Sequence, residues 1–266
     1  MLNILFFLNS KVFEITKTLE VIYMKISGNC LDIKYNKNGD LAYVKGSGTR
    51  VKIPLLDKNL ALFLGILWGD GWLANRKVAL KNYSWRVGIV EDDKPLIYRF
   101  IELTNEVFGI TPKINNRITK LEAYFSNRIV YEILNNIYNF PDGDKINKLK
   151  IPIQVLESDE LTKQFLSGLF STDGKFIIIK KNYPRIGLDS ASLEFIKEVE
   201  LALIRLKFNP RFSTWNRKKG NKLYALYLNG FKQARLFHKE IDFIGEKANK
   251  LEHFLANNAP LRPIAP

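Results

Sequence analysis

The chain has 266 residues, 46% of them hydrophobic, which is enough for one large domain or two small ones around a buried core. Lysine and arginine (41) outnumber aspartate and glutamate (27), and the net charge of +14 favours a polyanionic partner, although an ordinary solvated surface could also carry it. One cysteine and two histidines exclude a disulfide framework and a zinc cluster built on cysteine or histidine.

Residues 1–57 mix short apolar runs with turn signals such as NKNGD and KGSGT, which predicts an N-terminal extension of short strands without an assigned role. The opening run MLNILFFL has no basic residue before it and no small-residue cleavage site after it, and it is too short to span a bilayer. We therefore expect an intracellular protein, cytoplasmic or organellar, that is not secreted and has no membrane partner.

From position 58 onward the sequence repeats itself. The repeated blocks are LALFLGILWGDGWL (60–73) with TKQFLSGLFSTDGKF (162–176), SWRVGI (84–89) with YPRIGL (183–188), and KLEAYFSN (120–127) with KLYALYLN (222–229). The last pair aligns Lys, Leu, Ala and Asn without a gap. Three matched blocks in the same order predict two similar halves related by an approximate two-fold axis.

Each half shows the same succession of periodicities. An apolar run of about three turns predicts a buried helix, and the alternating block after it predicts strands. An amphipathic stretch, a second pair of strands and a final helix complete the order αββαββα. We expect an α+β fold with a first half at 58–140, a linker rich in charge and turn formers at 141–155, and a second half at 156–266.

An aspartate follows the apolar helix of each half. Gly65 and Gly69 in the first half, like Gly168 and Thr172 in the second, are small residues four apart, which lets two helix backbones approach closely. If these helices pack at the two-fold axis, the aspartates at positions 70 and 173 come together at their ends.

Two carboxylates at short range raise each other's pKa unless a cation lies between them. Carboxylate, carbonyl and water oxygens suit Mg²⁺, Mn²⁺ or Ca²⁺. A basic protein that holds a divalent metal between Asp70 and Asp173 is equipped to hydrolyse phosphodiesters. The alternative is that each Asp-Gly pair only ends its helix with a turn.

The two motifs FLGILWGDG and LSGLFSTDG resemble those of the LAGLIDADG homing endonucleases in their single-chain, two-repeat form, over roughly residues 58 to 257. The resemblance implies motif helices at the interface and antiparallel sheets that form a DNA-binding saddle. It also implies a monomer that cleaves both strands of a long, partly asymmetric duplex with Mg²⁺, with Mn²⁺ as a substitute and Ca²⁺ binding without cleavage. Asp70 and Asp173 would be the metal ligands, with the carbonyls of Gly69 and Thr172 adding to the coordination.

One departure from the family concerns the residue beside the attacking water. Many members place a lysine or glutamine soon after the second strand of each half, where this chain has VEDDK (90–94) and LDSAS (188–192). Lys94 and Lys175 are the candidate catalytic substitutes. The departure keeps open a second reading, a non-cleaving DNA- or RNA-binding protein of the same fold, such as an intron maturase or a transcription regulator. Neither end resembles a protein-splicing junction, so we expect an intron-homing or free-standing element.

Basic, amide and aromatic residues are interleaved on the predicted strands and turns, as in proteins that read DNA with β-ribbons. Arg86 and Arg185 recur at equivalent places and are the strongest individual candidates, although a structural pairing would also explain them. The candidate DNA-binding residues are Arg76, Lys77, Lys81, Tyr83, Arg86, Lys113, Asn115, Asn116, Arg117, Lys120 and Tyr124 in the first half, and Lys180, Lys181, Asn182, Arg185, Arg211, Ser213, Trp215, Asn216, Arg217, Lys218, Lys222 and Tyr224 in the second.

Overall fold

The computed structural model describes residues 33–35, 41–44, 50–79, 82–146, 148–180, 182–216 and 222–258. Most of the predicted N-terminal extension lies outside these ranges, as do four candidate DNA-binding residues: Lys81, Lys181, Arg217 and Lys218. Tyr83 is described by its backbone alone.

Two successive copies of the order αββαββα follow three short N-terminal strands, which confirms the predicted α+β fold of two pseudo-symmetric halves. The strands are β1 (Ile33–Tyr35), β2 (Leu41–Val44), β3 (Arg50–Lys52), β4 (Gly71–Ala79), β5 (Asn82–Glu91), β6 (Lys113–Asn116), β7 (Leu121–Ser126), β8 (Gly174–Ile179), β9 (Tyr183–Ser190), β10 (Arg211–Asn216) and β11 (Lys222–Asn229). The α-helices are α1 (Lys58–Asp70), α2 (Lys94–Phe108), α3 (Arg128–Glu132), α4 (Asp159–Thr172), α5 (Leu193–Arg205), α6 (Gly230–Glu240) and α7 (Glu246–Asn257).

The strands form three antiparallel sheets. The two larger sheets have matching orders, β4-β5-β7-β6 in the first half and β8-β9-β11-β10 in the second, and the N-terminal strands form a separate sheet, β1-β2-β3. A π-helical turn (Ile133–Ile137) continues α3, and a 3₁₀ turn (Ile153–Glu157) precedes α4. None of the described helices combines the length and apolarity needed to cross a membrane.

Helices α1 and α4 pack against each other backbone to backbone. A Cβ added at Gly65 would overlap the carbonyl of Phe165, and one added at Gly168 would lie 2.5 Å from the carbonyl oxygen of Leu62. The predicted close approach through small residues is therefore confirmed. Trp68, on the same helix, is fully buried, and its indole N–H donates to the carbonyl of Lys150 at 2.7 Å, which fastens the linker to α1.

The strand register corrects the gapless alignment of the third repeated block. Ala123 lies opposite Ile89, whereas Ala225 lies opposite Asp189, one position further along the equivalent strand. A shift of one residue moves a side chain to the other face of a sheet. The structural counterpart of Tyr124 is therefore Tyr227, since both lie opposite the equivalent glycines of β5 and β9.

Gly65→Ala and Gly168→Ala should each lower the free energy of unfolding by about 3 kcal/mol, because the added methyl group must push two backbones apart. Gly143→Ala is the matched control, because a Cβ there meets no atom within 4 Å and only its φ of 72° is strained. That strain should cost about 1 kcal/mol. Chemical denaturation measures all three, and equal losses would contradict the close helix contact.

Candidate metal and nucleic-acid site

The two motif aspartates lie side by side at the carboxyl ends of the central helices. Asp70 is the last residue of α1, and Asp173 directly follows α4. Each helix passes straight into a strand through a glycine, where a Cβ would overlap the preceding helical turn. The Asp-Gly pairs therefore join helix to strand without a loop, which places both carboxylates at the start of a sheet.

The pKa of Asp173 depends on its burial and on the neighbouring Asp70. Burial, and then the charge of Asp70, raises the pKa of Asp173 to about 6. The carboxyl group therefore holds a proton below about pH 6 and is a carboxylate above it. A pair of acids in this state is stabilised by any cation that reaches it.

Two partly buried lysines accompany the acids. The Lys145 ammonium donates to the carbonyl oxygen of Gly69. The Lys247 ammonium donates to the carbonyl oxygens of Ser171 at 2.7 Å and Thr172 at 2.6 Å. Cations suit these positions because the last carbonyls of a helix carry partial negative charge. Burial lowers the pKa of both lysines, and the neighbouring carboxylates oppose that shift.

Each lysine interacts electrostatically most strongly with carboxylates of the opposite half. Lys145 follows the first half, yet the carboxylate that acts on it most is Asp173 of the second half. Lys247 belongs to the second half, and the carboxylates that act on it most are Glu91 and Asp70 of the first. The charged centre is therefore shared by the halves, and neither half contains a complete copy of it.

Sequence reasoning did not place these two lysines beside the acids, although a repeat marks them. GDKINKL (143–149) and GEKANKL (245–251) agree at five of seven positions, and both begin at a glycine with positive φ. The repeat thus continues into the segment predicted to be a linker. These two segments form a fourth repeated block, and that block is the sequence signal for both lysines.

Glu91, from the first half, adds a third carboxyl group to the centre. It is buried, it hydrogen-bonds with Asp70, and its Oε1 accepts from the backbone N–H of Asp92 at 2.7 Å. Burial and the contact with Asp70 raise the pKa of Glu91 to about 8. The equivalent strand position in the second half is Ser190, so the two halves differ here.

The two lysines predicted to be catalytic have different surroundings. Lys94 is the exposed first residue of α2. Lys175 forms an ion pair with Asp189, and its ammonium lies 5.9 Å from the ring centroid of Trp215. Asp189 also raises the pKa of Asp173 electrostatically, so Lys175 and Asp189 border the second acid.

A cavity of about 220 Å³ opens beside Asp173, and its lining includes Lys145, Asp189 and Ser190. Within the described part of the chain, Oδ1 of Asp189 is buried without a hydrogen-bond partner. Such an unpaired acceptor is costly and marks a place where a further polar group fits.

The donor set fits a hard divalent cation. Among the described residues, no group of three or more His, Cys, Asp and Glu side chains converges on one point. A metal would be held by Asp70 and Asp173, with water and substrate oxygens completing the shell, as Mg²⁺ prefers. The carbonyls of Gly69 and Thr172, predicted as further ligands, each accept a lysine ammonium and keep a second lone pair.

Strand alternation places the candidate DNA-binding residues on two different faces. Residues directly opposite in an antiparallel pair share a face. The open face of each larger sheet is defined here as the face turned away from the buried core. The candidates on it are Arg76, Arg86, Lys113, Asn115 and Tyr124 in the first half and Arg185, Arg211, Ser213 and Trp215 in the second.

The remaining candidates lie elsewhere. Those on the face towards the core are Lys77, Asn116, Asn216, Lys222 and Tyr224. Those in turns are Arg117, Lys120, Lys180 and Asn182. Tyr224 packs against the core, whereas Tyr227, absent from the candidates, is on the open face. Tyr224 and Tyr227 are three residues apart on one strand, so their side chains lie on opposite faces of the sheet.

Arg86 and Arg185 occupy equivalent positions on the open faces. The Arg86 guanidinium lies 5.7 Å from the ring centroid of Tyr124, and that of Arg185 lies 4.5 Å from the centroid of Tyr227. The Nε of Arg185 also donates to Asn229 at 2.7 Å. These contacts orient both guanidinium groups and use only some of their five N–H donors.

Comparisons with known proteins agree with this fold. Residues 160–242 match the family model described as a LAGLIDADG-like domain. Over 242 residues, 85% of this chain, the sequence is 27% identical to the replication factor C small subunit of Methanocaldococcus jannaschii. Over 198 residues, 70% of this chain, it is 28% identical to the replicative DNA helicase DnaB of Synechocystis. The chain covers only 12% of the length of the first relative and 22% of the second.

Solved structures of the homing endonuclease I-DmoI have the same architecture. A structure of its mesophilic variants superposes with a TM-score of 0.56 at 20% identity, covering 74% of this chain and 98% of that one. I-DmoI has also been solved with DNA and Mn, and with DNA and Ca. The fold is therefore that of the LAGLIDADG proteins. Residues 160–242 thus match a LAGLIDADG-like domain, and both halves share that fold, with one motif helix in each half.

Asp70→Asn should lower the pKa of Asp173 from about 6 but leave it above the ordinary value of 3.8, because burial, the larger cause, remains. Carboxyl ¹³C NMR titration of the metal-free protein measures the change. Asp189→Asn is the control and should lower the pKa less, since Asp189 is the weakest of the contributors. An unchanged pKa in Asp70→Asn would show that the two acids are not neighbours.

Proposed function

We propose that this chain is a site-specific double-strand DNA endonuclease of the homing type, which hydrolyses phosphodiester bonds with a divalent metal. The observation that carries the proposal is the pair of motif carboxylates at the junction of two basic sheets. A charge of +14 draws a polyanion to the protein, and the adjacent acids require a cation. The I-DmoI complexes with DNA and Mn support it by analogy.

The open faces would form the DNA-binding saddle. Arginine and lysine on them pair with guanine edges or phosphates, and asparagine pairs with adenine. The halves present different side chains at equivalent positions, for example Trp72 where the second half has Lys175. Unequal halves read unequal half-sites, so the target is a long, partly asymmetric duplex. A single chain supplies both acids and both sheets, and we propose that it acts as a monomer.

At the centre, Asp70 and Asp173 would hold Mg²⁺, with Mn²⁺ as a substitute and Ca²⁺ supporting binding without cleavage. The bound metal supplies phosphate polarisation, a water of lowered pKa and stabilisation of the leaving oxygen. Lys145 and Lys247 contribute positive charge beside the phosphates and keep the helix ends in place. Glu91 orients Asp70 through their hydrogen bond.

We also propose an intracellular compartment, cytoplasmic or organellar. The whole proteins that it matches are far longer, so their own activities are not transferred to it.

Asp70→Asn and Asp173→Asn should each reduce cleavage in Mg²⁺ by at least about a thousandfold, because an amide cannot replace the charge that holds the metal. Binding to the same duplex in Ca²⁺ should stay close to wild type. The target is found by selecting cleaved molecules from a randomised duplex library. Asp159→Asn, at an exposed first turn, is the control and should cut normally.

Undiminished cleavage by either variant would overturn the assignment of these acids. A wild-type protein that binds a selected duplex tightly but never cuts it with Mg²⁺ or Mn²⁺ would instead establish the non-cleaving binder.

Lys113→Ala should weaken DNA binding and reduce the slope of log affinity against log salt by about one, because Lys113 lies on the open face. Lys77→Ala is the matched control from the same sheet, with its side chain on the opposite face, and should leave the slope unchanged. Fluorescence anisotropy over a salt series measures both. Equal effects would contradict the assignment of the open face to DNA.

A further inference from the structure

A single carboxylate, that of Asp93, joins the two halves beside the charged centre. Its Oδ1 accepts from the backbone N–H of Leu96 at 3.2 Å and so caps the start of α2 in the first half. Its Oδ2 accepts from the backbone N–H of Glu246 at 2.7 Å, at the start of α7 in the second half. Asp93 is buried; its bond to Leu96 is buried as well, and its bond to Glu246 is partly buried. One side chain therefore caps two helices that belong to different halves.

The chain before α7 is seated closely against this carboxylate. Gly245 has a φ of 76°, and a Cβ there would lie 2.6 Å from Oδ1 of Asp93. The backbone N–H of Ile244 donates to Oγ of Ser171 at 2.7 Å. The segment 244–246 is thus held between α4 on one side and Asp93 on the other.

Lys247 is the next residue along this segment. Its ammonium donates to the carbonyls of Ser171 and Thr172 at the end of α4. The charged groups acting on it include Asp70, Asp173, Glu91 and Asp93 itself. The backbone before Lys247 is therefore held partly by a contact with the first half, while the Lys247 ammonium bonds to the end of α4.

The other half lacks this arrangement. Ser192 is the structural counterpart of Asp93, and its hydroxyl caps α5 by accepting from Phe195 N–H at 3.2 Å. Gly143, the counterpart of Gly245, instead donates its backbone N–H to the carbonyl of Leu73, within the first half's own sheet, at 3.3 Å. The backbone just before Lys145 is therefore bonded within the first half, whereas the backbone just before Lys247 is bonded across the interface.

We propose that Asp93 is a positioning residue that fixes Lys247 at the carboxylate pair by capping α7 from the opposite half. This role makes one of the two strand-cleaving events depend on the contact between the halves, and that consequence rests on the proposed endonuclease function.

The test uses Asp93→Ser, which installs the cap that the second half uses naturally. Serine can still cap α2, but its single short hydroxyl cannot also reach Glu246. Ser192→Ala is the matched control, because it removes a cap from the equivalent helix without touching a bond between halves. Stability is measured for both, so that a general loss of folding is recognised.

The first readout needs neither metal nor DNA. Amine acetylation followed by mass spectrometry should show Lys247 reacting about tenfold faster in Asp93→Ser than in wild type. The substitution removes the hydrogen bond from Glu246 to the charged Asp93 carboxylate, and this bond is what we propose keeps Lys247 in place. Lys145 should react at an unchanged rate, and neither lysine should change in Ser192→Ala. Unchanged reactivity of Lys247, or an equal rise for both lysines, would overturn the proposal.

The second readout is nicking of a cognate duplex labelled on both strands. Asp93→Ser should slow cleavage of one strand about tenfold more than the other, whereas Ser192→Ala should keep the wild-type ratio. Equal slowing of both strands would overturn the strand-specific role. Selective exposure of Lys247 in a protein that never cuts DNA would support the positioning role and overturn the endonuclease function instead.

Discussion

The contact between the backbones of α1 and α4 determines the position of every group at the centre of the molecule. Glycine at positions 65 and 168 removes the side chains that would hold the helices apart. The helices then end together, and the Asp-Gly pairs lead directly into β4 and β8. Because the same contact orients both sheets, the two carboxylates and the two open faces are consequences of one packing arrangement. A change in the helix contact would displace all of them at once.

Charge compensation is the second constraint at this centre. Acids and lysines that lose part of their hydration are each costly alone, and their mutual attraction offsets the desolvation only when further hydrogen bonds are made. Here Lys145 and Lys247 bond to helix carbonyls while facing carboxylates of the opposite half. Burial and the charge of Asp70 raise the pKa of Asp173 although both lysines lower it, so the ionised acid pair keeps an unfavourable repulsion. That remaining repulsion is what a divalent cation would relieve.

The halves share a backbone plan but differ in the residues around the centre. Glu91 contacts Asp70 in the first half, where the second half has Ser190, and Lys175 is paired with Asp189 where the first half has Trp72. Gene duplication alone would leave two equal sites. The unequal residues indicate that the surroundings of Asp70 and Asp173 have different roles. A single chain permits such a difference, whereas a dimer of identical subunits does not.

The sequence by itself determined the two-fold repeat and the order of the elements, because periodicity is a local property that survives in any register. It also placed Asp70 and Asp173 at the ends of two helices with small residues four apart, and their adjacency followed once those helices were seen to pack. Only the tertiary structure decided the rest. The face occupied by Tyr224 or Tyr227 depends on the strand register. The proposed positioning of Lys247 depends on the bond that the backbone N–H of Glu246 donates to Asp93, 153 residues away in sequence. Contacts of that range arise from packing between elements, and no local pattern encodes them.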